Sequence, residues 1–194
     1  MPANTDPMPE ATAEALHASF RRRRFLAMPL AGMIAWTGIG IAGTQLSLVG
    51  SVYATYIGAG LIVYLGVFLS RFTGEDFFGK ANRHPFDGLF LHTVAMALLV
   101  FVIAIPFARV DPTSLPFSVG VLTGLMWIPF SWLIRHWVGW FHALSRAGLL
   151  LVLYYAFPDH RFVAIPFGIV LIYALTILVL ELRWRQTLRE DPAS

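Results

Sequence analysis

The chain has 194 residues, 57% hydrophobic and 13% charged, with a formal net charge of +3. A water-soluble surface needs more charge than that, and a mean hydropathy of +0.68 excludes a disordered chain as well. With no cysteine, disulfides, thiolate metal sites and cysteine nucleophiles fall away. What remains is an all-α fold, a polytopic transmembrane helical bundle.

Residues 1–20 hold three acids, three prolines and little apolar surface, and read as a disordered polar tail. A helix needs about 20 mostly apolar residues to cross a hydrocarbon core of roughly 30 Å. Six segments reach that length: Phe25–Leu46, Ser51–Ser70, Asp87–Phe107, Pro116–Ile134, Trp137–Phe157 and Phe162–Leu182. They make one transmembrane domain over residues 21–185, with a short cytoplasmic tail over 186–194. Only Arg135 and His136 separate the fourth and fifth segments, so a re-entrant stretch there is the alternative. Helices are expected because each span must satisfy its own backbone without water, and alternating barrel strands are absent from the sequence.

Basic residues set the orientation. With both termini cytoplasmic, the inner segments carry Arg21, Arg22, Arg23, Arg24, Arg71, Lys80, Arg83, Arg135, Arg183, Arg185 and Arg189, eleven of the 14 basic residues. The outer loops carry Arg109 and Arg161. This pattern predicts a multi-pass protein of a cell inner membrane and gives no basic–aromatic module for nucleic acid. Arg22-Arg23-Arg24-Phe25-Leu26 also resembles a twin-arginine export signal. A start-transfer helix with a basic anchor explains the same residues, since five further spans follow directly.

Helices in lipid associate through small residues and interhelical hydrogen bonds. Gly32, Gly38, Gly40 and Gly43 crowd the first span, and Gly120 and Gly124 stand at GxxxG spacing in the fourth. Packing inside the monomer is the expected use of these faces; a second copy or another membrane protein is the alternative partner. The triplet Ile-Pro-Phe occurs at 105–107, 128–130 and 165–167. Pro129 is the best kink candidate, with Ser131 near enough to partner a freed carbonyl. Trp127, Trp132, Trp137 and Trp140 read as an interfacial aromatic belt.

The stretch Trp127-Ile128-Pro129-Phe130-Ser131-Trp132, with Arg83-His84-Pro85-Phe86 before the third span, resembles an uncharacterised family of small bacterial polytopic membrane proteins. Its members carry Pro-Phe-Ser-Trp late in a middle helix. The resemblance covers mainly residues 84 to 134. It implies a multi-helix membrane protein and brings no assigned activity.

Arg146 is the most informative residue. It lies about 11 residues, or roughly 16 Å, inside the fifth span, where an arginine needs a partner, a water-filled cavity, or a stem that snorkels to the surface. His142 stands one turn earlier on the same face. Asp87 and His92 at the inner end of the third span, and Glu181 at the inner end of the sixth, fall in the same half of the bundle. Together these five residues predict a polar vestibule open to the cytoplasm. Glu75 and Asp76, flanked by Gly74 and Gly79 in the longest loop, read as part of a solvated, membrane-skimming segment, or as a cation contact.

No metal-ligand spacing, nucleophile elbow or P-loop is present in the sequence, so neither a metal nor a cofactor is expected and an enzyme is disfavoured. The leading expectation is a small transporter or channel for a polar or anionic solute. The alternatives are a non-catalytic membrane assembly subunit, or a protein carrying haem b between His92 and His142.

Overall fold

The computed structural model describes residues 10–75 and 84–190. Among the described residues all regular structure is helical. The helices are α1 (Glu10–Arg21), α2 (Ala27–Gln45), α3 (Leu48–Thr73), α4 (Phe86–Leu99), α5 (Phe101–Val110), α6 (Leu115–Gly124), α7 (Trp127–Ile134), α8 (Val138–Ala156) and α9 (Arg161–Glu190).

The expected polar tail over 1–20 is corrected from Glu10 onward. Phe20 and His17 of α1 are buried, and the His17 ring bonds the Leu133 carbonyl at 3.1 Å. Alanines and one leucine make this stretch a good helix former. The cap it forms lies over the end of the bundle where α7 stops; this end is called the α1 end below. The tail expected from 186 onward is helical to Glu190, continuing α9.

Four helical stretches are long and apolar enough to cross a membrane: Ala27–Gln45, Leu48–Thr73, Pro112–Ile134 and Pro158–Arg189. The expected third span divides into α4 and α5 at Val100. The break falls in Val100-Phe101-Val102-Ile103, a β-branched and aromatic run of weak helix propensity. The segment expected as the fifth span is one helix, α8, of 19 residues. The outer surface is apolar at helical spacing: Tyr53, Ile57, Leu61, Tyr64, Phe68 and Phe72 line the exposed side of α3. Such a stripe has no place in water and fits lipid.

Small residues bring the backbones together. At Gly43 of α2 an added Cβ would stand 2.3 Å from the Phe162 carbonyl oxygen, and at Gly139 of α8 it would stand 2.1 Å from the Trp127 carbonyl oxygen. The GxxxG face is used inside the chain. A Cβ on Gly120 would meet Leu150 and Ile169, and one on Gly124 would meet the Arg146 stem at 3.1 Å.

The kink between α6 and α7 lies at Leu125–Met126, one turn before Pro129, which sits in the first turn of α7. Proline has no N–H for the carbonyl four residues earlier and its ring crowds that group. The Leu125 carbonyl accepts from the Ile128 amide at 3.1 Å instead. Ser131 does not bond a freed carbonyl of α6; its hydroxyl donates to the His136 carbonyl across the α7–α8 turn.

Candidate functional site

α8 presents Arg146 and His142 at i, i+4 to the centre of the bundle, and both are 0% exposed. Arg146 Nη1 donates to Tyr173 Oη of α9 at 3.3 Å and to His142 Nε2 at 3.3 Å; Nη2 donates to Thr123 Oγ1 of α6 at 3.0 Å. Its guanidinium carbon lies 5.6 Å from the centre of the Trp36 ring of α2 and 5.4 Å from that of Tyr173, within the range of a cation–π attraction. Nε has no hydrogen-bond partner.

The directions of these bonds fix the protonation of the histidine. An arginine only donates, so His142 Nε2 must accept and the ring is neutral, with its proton on Nδ1. That proton goes to Thr176 Oγ1 at 2.8 Å, while the Thr176 hydroxyl donates to the Ile172 carbonyl at 2.8 Å. Thr123 behaves likewise, donating to the Val119 carbonyl at 2.6 Å. Each threonine gives its proton to its own helix and turns a lone pair to the cluster. Trp127 stacks on His142, ring centres 4.1 Å apart at 18°, and holds the imidazole plane.

Local sequence makes room for this arrangement. An added Cβ on Gly32 would lie 2.4 Å from Tyr173 Cζ, so only glycine on α2 lets the phenol approach. Gly124 gives the arginine stem the same freedom on α6. Thr123 and Tyr173 also line a cavity of ≈ 40 Å³ with Met28, Ala59, Ala97 and Met126, room for about three waters.

The predicted vestibule is not assembled. Of the five residues assigned to it, the structure brings together Arg146 and His142 alone. Asp87 instead pairs with Arg23 and accepts from the His84 amide at 2.7 Å. Glu181 takes Arg24 and Arg185, each at 2.9 Å. Both acids sit at the α1 end, where the arginines before α2 neutralise them. His92 is exposed and bonds the Gly88 carbonyl of its own helix at 2.6 Å, so it does not face His142 as a haem partner would. Trp127 is removed from the aromatic belt by its burial, whereas Trp132, Trp137 and Trp140 are exposed.

Glu75 is not part of a solvated loop. It is buried, and Oε1 accepts from the Leu26 and Ala27 amides at 2.6 and 3.1 Å, satisfying orphan donors at the start of α2. Burial pushes its carboxyl above the usual range, against the pull of those amides, the Thr73 hydroxyl and Arg24. Asp76 and Gly79, the other members of that expectation, lie outside the described residues. The sequence reading also missed Tyr173, Thr176, Thr123 and Trp36. Tyr173 and Thr176, at i, i+3 in the middle of the segment expected as the sixth span, were the available signal.

Among the described residues no group of three or more His, Asp or Glu is placed to hold a metal ion. No curated protein and no solved structure matches the chain. A family model matches residues 15–183 and includes both stretches singled out around Pro85 and Pro129, so the chain belongs to DUF7010, a family of unknown function.

Proposed function

We propose that this protein is a small inner-membrane transporter or channel for an anionic or polar solute, rather than a catalyst, and that Arg146 is its binding charge. In this reading α4–α5 and α8 cross the bilayer beside the four long stretches, giving six crossings with both termini cytoplasmic. The observation that carries it is a fully buried guanidinium whose hydrogen-bond partners are Thr123, Tyr173 and His142, all neutral. An arginine at mid-membrane costs ~2.5–3.5 kcal/mol on insertion scales and characteristically marks a substrate path. A carboxylate on a neighbouring helix would serve a purely structural arginine better, and the site leaves that position to a solute. The Tyr173 hydroxyl accepts from Arg146 and lines the cavity, which leaves its own proton for an anion there.

The test is flux of chloride, nitrate and acetate in vesicles containing the purified protein. Wild-type protein should pass at least one of them, and Arg146→Met should lose that flux. Equal flux in the variant, or none of these anions passed by wild type, contradicts the reading.

A further inference from the structure

Glu75 stands directly after Gly74, the left-handed residue that ends α3. It is 7% exposed. While Oε1 serves the start of α2, Oε2 makes no hydrogen bond among the described residues. The side chains around Glu75 from α2, α7 and the segments leading into them are apolar: Phe25, Met28, Pro29, Met126, Trp127 and Phe130 line a cavity of ≈ 20 Å³ with it. Among the described residues Arg24 is the charged group that acts on the carboxyl.

Met28 and Met126 also line the ≈ 40 Å³ cavity that reaches Thr123 and Tyr173, the partners of Arg146. The two cavities therefore share a wall made of two unbranched thioether chains, which change rotamer easily. Gly66 leaves space for one of them; a Cβ there would lie 2.2 Å from Met28 Sδ. Trp127, on the first cavity, stacks on His142. A buried carboxyl and a buried guanidinium thus bracket one interrupted line of cavities from the α1 end to the centre.

We propose that Glu75 is a proton-binding site on the route to Arg146, closed when protonated and opened through Met28 and Met126 when its proton passes to water. Burial disfavours the carboxylate, so by linkage the buried, closed arrangement is the one that takes the proton. The inference rests on the anion reading of Arg146 and names its coupling ion: an anion enclosed at Arg146 is accompanied by one proton on Glu75.

The chain has no cysteine, so Ala59→Cys, in the wall of the inner cavity, gives a single reporter thiol. The protein in phosphatidylethanolamine–phosphatidylglycerol vesicles is treated with a sulfonate-bearing methanethiosulfonate at pH 5 and pH 8. The same reporter combined with Glu75→Gln corrects for titration of the thiol itself. The labelling rate should rise with pH by about tenfold more in the presence of Glu75 than in its absence, within the limit of tenfold per pH unit that release of one proton sets. An equal rise in both backgrounds overturns the proposal, and so does an unreactive thiol in both. Ala97→Cys, lining the same cavity from α4, repeats the reading if the first reporter does not fold. If chloride, nitrate and acetate fluxes are absent while the Glu75-dependent labelling holds, the anion reading of Arg146 fails and the proton-gated route stands.

Discussion

Arg24 and Arg146 carry the same guanidinium into opposite surroundings. Arg24, one third exposed, meets the Glu181 carboxylate at 2.9 Å and lies 4.6 Å from the centre of the Trp184 ring. Arg23 is likewise paired with Asp87, and Arg161 at the far end meets Asp111 at 3.4 Å. Arg183 is buried without a carboxylate, but it donates to the Arg21 and Arg23 carbonyls at 3.0 and 2.7 Å, at the negative end of α1. Arg146 meets no carboxylate, and it reaches the last turn of α6 through the Thr123 hydroxyl rather than through a backbone carbonyl. The ends of the bundle use arginine to tie elements together, whereas the centre holds a buried cation whose hydrogen-bond partners are all neutral. The anion reading of Arg146 rests on that contrast.

The comparison is tested most severely by removing the central charge. Arg146→Met keeps an unbranched chain and takes away the cation. Removing the cation relieves its desolvation, while His142, Tyr173 and Thr123 lose a donor; the two effects oppose each other, so the unfolding temperature should move little while anion flux disappears. A variant that loses stability and keeps flux would make Arg146 a fastening like Arg24. The next largest effect is expected at Gly32→Ala. The new methyl collides with Tyr173, and overpacking of this kind costs typically 1–3 kcal/mol. Thermal unfolding in detergent should register the loss, and flux should fall with it because the phenol is pushed off Arg146.

Acidity separates the two regions further. The Glu75 carboxyl is raised above its ordinary 4.5, so its contribution to stability is whole below that value and is lost as pH rises through the raised one. His84 and His136 are lowered from 6.5, in both cases first by burial. Their contribution is present above 6.5 and is lost as pH falls through the lowered values. Between these values the two contributions run in opposite directions, and Glu75→Gln should remove the one that falls as pH rises, leaving a midpoint that only climbs with pH there. The smallest effect belongs to a fastening: Asp87→Asn breaks a partly exposed pair worth about 1 kcal/mol or less. It should lower the unfolding midpoint slightly and leave flux untouched.

The helical segments and the central position of Arg146 were legible because both follow from one-dimensional quantities, apolar run length and depth along a helix. His142 was legible for the same reason, as its neighbour one turn away. The remaining partners were not, because hydrogen bonds between helices depend on rotation about each axis, which a continuously apolar helix such as α9 does not reveal. Asp87 and Glu181 share a half of the bundle with Arg146, but depth alone could not show that Arg23 and Arg24 reach them first. Glu75 looked solvated because its neighbours in sequence are polar and glycine-rich; the start of α2, 48 residues earlier, is what buries it. In α1 the composition masked two buried residues, His17 and Phe20, that pack it against the bundle.

The central claim is that a solute anion completes the Arg146 site, and binding without transport tests it most directly. The unfolding midpoint of the purified protein is followed against chloride, nitrate and acetate at constant ionic strength. A ligand that binds only the folded state raises that midpoint in a saturable way. The account predicts such a rise for at least one of the three anions in wild-type protein and none in Arg146→Met. No rise in wild type, or the same rise in both proteins, would contradict it.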